Sequence, residues 1–185
     1  MNTSKEILIE KRDGTKEPID ISKMQFVVEQ ACEGLSGVSA SQIEMNSQIQ
    51  FSNGMTSRDI QDILIRSAND LITLENPNYQ YAAARLLLWN VYKEVFGQFQ
   101  PKHFVNVIIQ NVKRGVYDKQ IIENYTKTEL KKLNTWIKHD RDLDYTYAGL
   151  RQVVDKYLVQ DRSTGEVYET PQFMYMMIAA TLFAN

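Results

Sequence analysis

Apolar and polar residues follow two different periods along the chain. Residues 7–11 are rich in β-formers, Asp13-Gly14 is a strong turn signal, and residues 16–19 can form a returning strand. We therefore predict a β-hairpin at the start. Beyond it, most apolar positions recur every three or four residues, which is the spacing of amphipathic helices.

Four helices are predicted in the first part of the chain. Their signals are the apolar stripe that begins at Met24, the capping pattern at Ser39, the capping pattern at Thr56, and Asn76-Pro77 ahead of a long helix that ends at Gly97. Between the second and third helices, residues 49–51 are predicted to form a short strand.

The second part of the chain is also predicted to be helical, with a domain boundary near Gln100-Pro101. The predicted helices cover 102–115, 118–125, 126–138 and 145–159, and a final helix is capped by Thr170-Pro171. The segment Ser163-Thr164-Gly165 is predicted to be the tip of a small hairpin.

The final helix is apolar on all sides. From Phe173 to Phe183 every residue except Thr181 is apolar, and such a helix belongs in a core or a membrane. The preceding helices can cover it, or another polypeptide can supply the other half of its core. We favour the second alternative, because an exposed surface of this kind promotes aggregation.

Composition removes several classes of function. The chain has 185 residues with 21 Lys plus Arg and 23 Asp plus Glu, a balance that argues against nucleic acid as the partner. Its single cysteine, Cys32, excludes a disulfide framework, a cysteine zinc site and a redox pair of thiols within this chain. With no targeting signal and no apolar run of about 18 residues, we expect a cytoplasmic protein and no membrane partner.

Candidate chemistry is limited to a few charged residues. No glycine-rich phosphate loop is present, so a phosphate group would be bound by side chains and helix N-termini. Lys11, Arg12, Lys23 and Lys93 would converge if the hairpin folds back over the helices; the alternative is a set of solvated cations. The run from His139 to Asp142 lacks the further ligands of a metal site, so we predict a charged loop there and no metal.

Several motifs carry a resemblance to a known family. The first group resembles the ATP-cone, the regulatory nucleotide-binding domain of many ribonucleotide reductase large subunits: Lys11-Arg12-Asp13-Gly14, Glu17, Lys23, residues 31–35, Thr56-Ser57 with Asp59-Ile60, and residues 78–86. The second group resembles the start of the catalytic barrel: residues 96–99, 138–142, 156–159 and 164–173. Together they are similar to the bacterial and phage class Ia ribonucleoside-diphosphate reductase large (alpha) subunit.

The resemblance implies a mainly α fold. Residues 1–97 would be an ATP-cone, a four-helix bundle capped by a small β-hairpin sheet, and residues 98–185 a helical N-terminal part of the reductase domain. The implied effectors are ATP as activator and dATP as inhibitor, bound with Mg²⁺.

The resemblance also implies roles for individual residues. Lys11 and Arg12 would contact the nucleotide from the cap, and Glu17 would accept from the adenine or help to order the cap. Lys23 and Lys93 would neutralise phosphate charge. The hydroxyl of Ser57, which replaces a threonine, would bind the ligand, and Ile60 would line the base or sugar.

Two positions depart from the family pattern. Asp20 replaces an asparagine that contacts the base, and Gln61 replaces a histidine that helps to discriminate dATP from ATP. We therefore expect a cone that binds ATP but whose inhibitory response to dATP is weakened or absent.

No catalytic residue is expected in this chain. The reaction of the family, which is thioredoxin- or glutaredoxin-dependent, needs a radical cysteine and a redox cysteine pair, and Cys32 lies in the cone. We expect the chain to be inactive alone and to contribute to deoxyribonucleotide synthesis for DNA replication. Its partners would be the remaining large-subunit fragment or fragments and the radical-generating small subunit. The alternative is a free-standing ATP-cone sensor or interaction module.

Overall fold

The computed structural model describes residues 7–184 as two compact units, residues 7–87 with 146–148, and residues 88–145 with 149–184. Over these residues the fold is mainly α-helical with one two-stranded sheet, as predicted. The elements are β1 (Leu8–Glu10), β2 (Lys16–Pro18), α1 (Ile21–Cys32), α2 (Ala40–Gln48), α3 (Ser57–Asn69), α4 (Tyr79–Phe96), α5 (Phe104–Lys113), α6 (Gln120–Glu123), α7 (Lys127–Trp136), α8 (Tyr147–Lys156) and α9 (Pro171–Leu182), with a 3-10 helix at His139–Asp144.

The predicted hairpin is confirmed. β1 and β2 are antiparallel, and Ile9 is paired with Glu17. Gly14 has a φ of +81°, a conformation that glycine adopts without the steric cost of a side chain, so the tight turn requires this residue.

The other edge of β1 is bonded to the segment that precedes α3. The Gly54 amide donates to the Leu8 carbonyl at 2.8 Å, and the Glu10 amide donates to the Met55 carbonyl at 2.9 Å. The Leu8 amide donates to Oδ1 of Asn53 at 2.9 Å. These three bonds fix the hairpin beside the N-terminus of α3.

The first unit has a helical core. The α2 helix packs against both α1 and α3. Three of the helices begin at side chains that accept a backbone N–H, which satisfies donors that a helix start leaves free. These N-cap residues are Asp20, Ser39 and Thr56. The core side chains include Val28, Ala31, Ile43, Ile63, Leu64, Ala82 and Leu86.

The predicted strand at residues 49–51 is wrong. The Gln50 amide donates to the Ser47 carbonyl at 2.9 Å and the Phe51 amide to the Gln48 carbonyl at 3.3 Å, so the backbone continues α2 as turns. Ile49 is 85% exposed. The apolar residues in this segment therefore mimic a strand without burying a face.

An aromatic cluster fills the core of the second unit. The ring centroids of Phe104 and Phe173 are 5.0 Å apart, and those of Phe96 and Phe173 are 5.6 Å apart. The predicted hairpin tip at 163–165 is a turn closed by a single antiparallel bridge between Gln160 and Val167.

The α9 helix is buried on one side only. Phe173 and Met174 are buried, whereas Tyr175, Ile178 and Leu182 are exposed. The expectation that another polypeptide covers the exposed side stays a prediction. Among residues 7–184, no helix combines the length and the apolar character needed to cross a membrane.

The predicted charged loop after α7 is a 3-10 helix that carries a buried carboxyl group. Asp142 is 1% exposed, and it accepts from Nε2 of Gln172 at 2.9 Å and from the Tyr92 hydroxyl at 3.4 Å. Burial raises the pKa of Asp142 from 3.8 to about 6. Asp142 thus links the 3-10 helix to the first turn of α9, whose N-cap residue Thr170 makes no side-chain capping bond.

The buried Asp142 predicts a pH dependence of stability. Because its pKa is higher in the folded chain, protonated Asp142 favours folding at low pH, and this contribution is lost as the pH rises from about 4 to about 6. Relative to Asp142→Asn, the wild type should lose up to ~3 kcal/mol of unfolding free energy across this range. Urea denaturation between pH 4 and 7.5 measures the difference.

The matched control is Asp144→Asn, since Asp144 is an exposed carboxylate on the same 3-10 helix. Its profile should follow that of the wild type. Parallel profiles for the wild type and Asp142→Asn would contradict the prediction.

Candidate functional site

The hairpin loop is a well-defined turn that presents cations. Oδ1 of Asp13 accepts from the Thr15 amide at 2.9 Å and from its hydroxyl at 2.6 Å, and the hydroxyl bond is the main reason why the pKa of Asp13 is lowered. Lys11 and Arg12, which precede this turn, are exposed. Their cationic groups are therefore carried by an ordered loop at the surface.

Lys11 forms an ion pair across the hairpin. Its Nζ lies 3.0 Å from Oε2 of Glu17, and the two side chains are 42% and 36% exposed. Exposed pairs of this kind contribute about 0–1 kcal/mol. Lys11 can therefore exchange this partner for a more highly charged anion at little cost.

A second ion pair lies at the start of α1. Asp20 is the N-cap residue, and its Oδ1 accepts from the Lys23 amide at 3.1 Å while its Oδ2 lies 3.2 Å from Lys23 Nζ. The bond from the Lys23 amide is the largest cause of the lowered pKa of Asp20. Asp20 thus caps α1, a structural role that its replacement of the family's asparagine did not reveal.

The first turns of α3 contribute three of the predicted residues. Ser57 is the first residue of the helix, Ile60 is buried, and Nε2 of Gln61 donates to the Leu86 carbonyl at 3.0 Å. The N-terminus of a helix presents free N–H groups and a partial positive charge, which favour an anion. The bond from Gln61 is directed to α4.

The structure brings most of the predicted residues to one region of the chain. The pairing of β1 with residues 53–55 holds the loop that carries Lys11 and Arg12 beside the start of α3. Asp20 follows β2 closely in sequence. Lys93 lies in the second unit, where its Nζ is 4.5 Å from the ring centroid of Phe99, and its predicted place in the site stays a prediction.

Sequence reasoning did not assign roles to three residues that support this region. The side chain of Asn53 accepts from the Leu8 amide, and Nη1 of Arg85 donates to a carbonyl at the end of α1. The Tyr79 hydroxyl is bonded to the start of α2, where it accepts from the Ser39 amide and donates to Gln42. Tyr79 and Arg85 fall within the cone-like motif at 78–86, which is the only sequence signal for them. Asn53 has the turn signal Asn-Gly and nothing more.

Metal ligands are not concentrated here. Within residues 7–184, no three His, Cys, Asp or Glu side chains are grouped so as to hold a metal ion. Cys32 is half-buried, and burial raises the pKa of its thiol to about 11, which disfavours the reactive thiolate.

Comparison with known proteins identifies the domains. Residues 7–94 match the ATP cone domain, and residues 143–185 match the ribonucleotide reductase all-alpha domain. The first match includes all nine residues proposed from the sequence. The chain thus carries an ATP cone domain followed by a ribonucleotide reductase all-alpha domain, and it is similar to ribonucleoside-diphosphate reductase alpha subunits.

Three curated relatives illustrate the similarity. The chain is 45% identical to the ribonucleoside-diphosphate reductase 1 subunit alpha of Escherichia coli (strain K12), over 97% of this chain and 24% of the relative. The same subunit of Salmonella typhimurium is 45% identical over 100% of this chain and 24% of its own length. The alpha subunit of Enterobacteria phage T4 is 40% identical over 93% and 23%. The chain thus spans about a quarter of these relatives.

The geometry of the cone predicts that Asp20 acts mainly as a helix cap. Asp20→Asn keeps the capping acceptor and loses only an exposed ion pair, so it should leave the melting temperature nearly unchanged. Asp20→Ala also removes the acceptor and should lower the melting temperature by several degrees. Thermal denaturation of both variants measures the difference. Equal losses for the two would show that the ion pair, and not the cap, stabilises α1.

Proposed function

We propose that the cone of this chain is an allosteric site for ATP or dATP. The observation that carries the proposal is the bonding of β1 to residues 54 and 55, beside which an ordered cationic loop adjoins the N-terminus of α3. In a chain without a glycine-rich phosphate loop, the cations of this loop and the partial positive charge of a helix N-terminus together suit a polyphosphate. The match to the ATP cone domain supports a nucleotide as the effector.

The ion pairs of the free protein favour exchange for a nucleotide. Breaking the exposed Lys11–Glu17 pair costs about 0–1 kcal/mol, whereas a charge-assisted bond to phosphate contributes about 1.5–3 kcal/mol. The same comparison applies to Lys23 and Asp20. Several such bonds together would give micromolar affinity.

The other predicted residues have assigned roles in this proposal. Arg12 would bind phosphate next to Lys11, the Ser57 hydroxyl would bind the sugar or phosphate, and Ile60 would limit the space beneath the base. Mg²⁺ would arrive with the nucleotide, since it is held mainly by phosphate oxygens with one or two carboxylates, and Glu17 and Asp20 are carboxylates in this region. The role of Lys93 stays a prediction.

We further propose that the chain acts as the N-terminal part of a ribonucleoside-diphosphate reductase large subunit. Its partners would be the remaining large-subunit polypeptide, which would carry the catalytic cysteines, and the radical-generating small subunit. The match of residues 143–185 to the reductase all-alpha domain supports this role over a free-standing sensor. The proposal keeps the cytoplasmic location expected from the sequence.

Inhibition by dATP is proposed to be weak. Both carboxylate oxygens of Asp20 are engaged by Lys23, and the amide of Gln61 is engaged by α4. As a carboxylate, Asp20 offers the base no N–H in place of the asparagine amide, and one of the two N–H groups of Gln61 is already bonded to α4.

Titration calorimetry of the 185-residue chain with ATP, dATP and GTP tests the proposal. We expect micromolar binding of ATP, and a loss of about tenfold or more in Lys11→Met, because one charge-assisted phosphate bond is removed. The matched control is Lys16→Met, which removes an exposed lysine from the other strand of the hairpin and should change affinity by less than about twofold.

Absence of a binding heat for the wild type, or equal losses in Lys11→Met and Lys16→Met, would contradict the proposed site. The dATP arm tests the weakened inhibition. A clear preference for dATP, with a matching fall in turnover of the assembled reductase, would show that the inhibitory response is intact.

A further inference from the structure

Two adjacent residues of α4, Arg85 and Leu86, are hydrogen-bonded to α1 and α3, the helices that carry the proposed site. Nη1 of Arg85 donates to the carbonyls of Ala31 and Glu33, at 3.2 and 2.7 Å. The carbonyl of the next residue, Leu86, accepts from Nε2 of Gln61 at 3.0 Å. Consecutive positions of α4 are thus bonded to α1 and to α3.

The contact with Arg85 fixes the end of α1. The last carbonyls of a helix have no partner within the helix and carry a partial negative charge, so a guanidinium group stabilises them. The first turn of the same helix carries Asp20 and Lys23. The direction of α1, and with it the location of this ion pair, therefore depends on Arg85.

The contact with Gln61 fixes the start of α3. Gln61 lies one turn after Ser57, on the part of α3 that adjoins the hairpin. A carbonyl oxygen has two lone pairs, so Leu86 can accept from Gln61 as well as from its own helix. One of the two side-chain N–H groups of Gln61 is therefore used to hold α3 on α4.

We propose that Gln61 and Arg85 are positioning residues of the nucleotide site. Together they fix the distance between the Asp20–Lys23 pair on α1 and Ser57 on α3, with α4 as the common support. This inference rests on the proposed nucleotide-binding function and deepens it: position 61 controls affinity through α4 and does not read the 2′ position of the sugar.

The two roles predict different patterns of binding. A residue that contacts the sugar changes the ratio of the affinities for ATP and dATP, because these ligands differ only at the 2′ hydroxyl. A positioning residue weakens both nucleotides by the same factor. A residue that only stabilises the fold lowers the melting temperature and leaves both affinities unchanged below it.

Calorimetric titration of Gln61→Met and Arg85→Met with ATP and dATP, well below their melting temperatures, separates these patterns. Methionine keeps the helix propensity of both side chains and removes the donor; it matches glutamine in length and is shorter than arginine. We expect each variant to bind both nucleotides about 3- to 10-fold more weakly, since Gln61→Met loses one positioning hydrogen bond and Arg85→Met loses two, with a ratio of the two affinities within about twofold of the wild type.

Gln30→Met is the matched control, because Gln30 is exposed on α1 and its side chain makes no hydrogen bond within residues 7–184; it should bind both nucleotides like the wild type. If Arg85→Met fails to fold, Arg85→Lys replaces it, since lysine keeps the charge but its ammonium group lies one bond nearer the backbone than Nη1, the atom that donates to both carbonyls.

Each outcome has a distinct meaning. A wild-type chain that binds neither nucleotide refutes the proposed function itself. With a wild type that binds, a ratio altered more than about fivefold in Gln61→Met would assign this residue a ligand contact and overturn the inference. Unchanged affinities in both variants, with lower melting temperatures, would reduce the two contacts to fold stability and also overturn it.

Discussion

The bonding between the outer edge of β1 and residues 53–55 is the constraint on which the proposed site depends. An isolated two-stranded hairpin is marginally stable in water, and this one would have no fixed position if it were held only by its own pairing. Two backbone hydrogen bonds, from the Gly54 amide to Leu8 and from the Glu10 amide to Met55, hold the edge of β1 that does not face β2. The side chain of Asn53 adds a further acceptor at this edge. They join the cationic loop to the start of α3 across more than forty residues of sequence.

The first unit combines a fixed frame with replaceable charges. The frame is made of bonds to backbone carbonyls, from Arg85 to α1 and from Gln61 to α4, and of caps such as Thr56 with Asp59. The charges, in contrast, are held in exposed pairs that a polyphosphate can displace. An effector site benefits from this division, because binding then changes the charge partners without first having to order the backbone.

Local features of the fold could be predicted from the sequence, and long-range contacts could not. The hairpin turn at Gly14 and the helix caps at Ser39 and Thr56 each depend on a few neighbouring residues, and all three are found. The segment 49–51 has strand composition but no partner. The burial of Asp142 is not visible in a run of charged residues, because Tyr92 and Gln172 come from distant parts of the chain. The candidate residues themselves came from motif resemblance, and the bond from Gln61 to a backbone carbonyl leaves no trace in sequence.

Hydrogen–deuterium exchange of the 185-residue chain with and without ATP tests whether a nucleotide binds at the hairpin and the start of α3. We expect slower exchange in three segments, the hairpin at 8–18, the first turn of α1 and residues 54–61, with α5, α7 and α9 unchanged. Slower exchange confined to the second unit, or no change at saturating ATP, would contradict a nucleotide site built on the hairpin and α3.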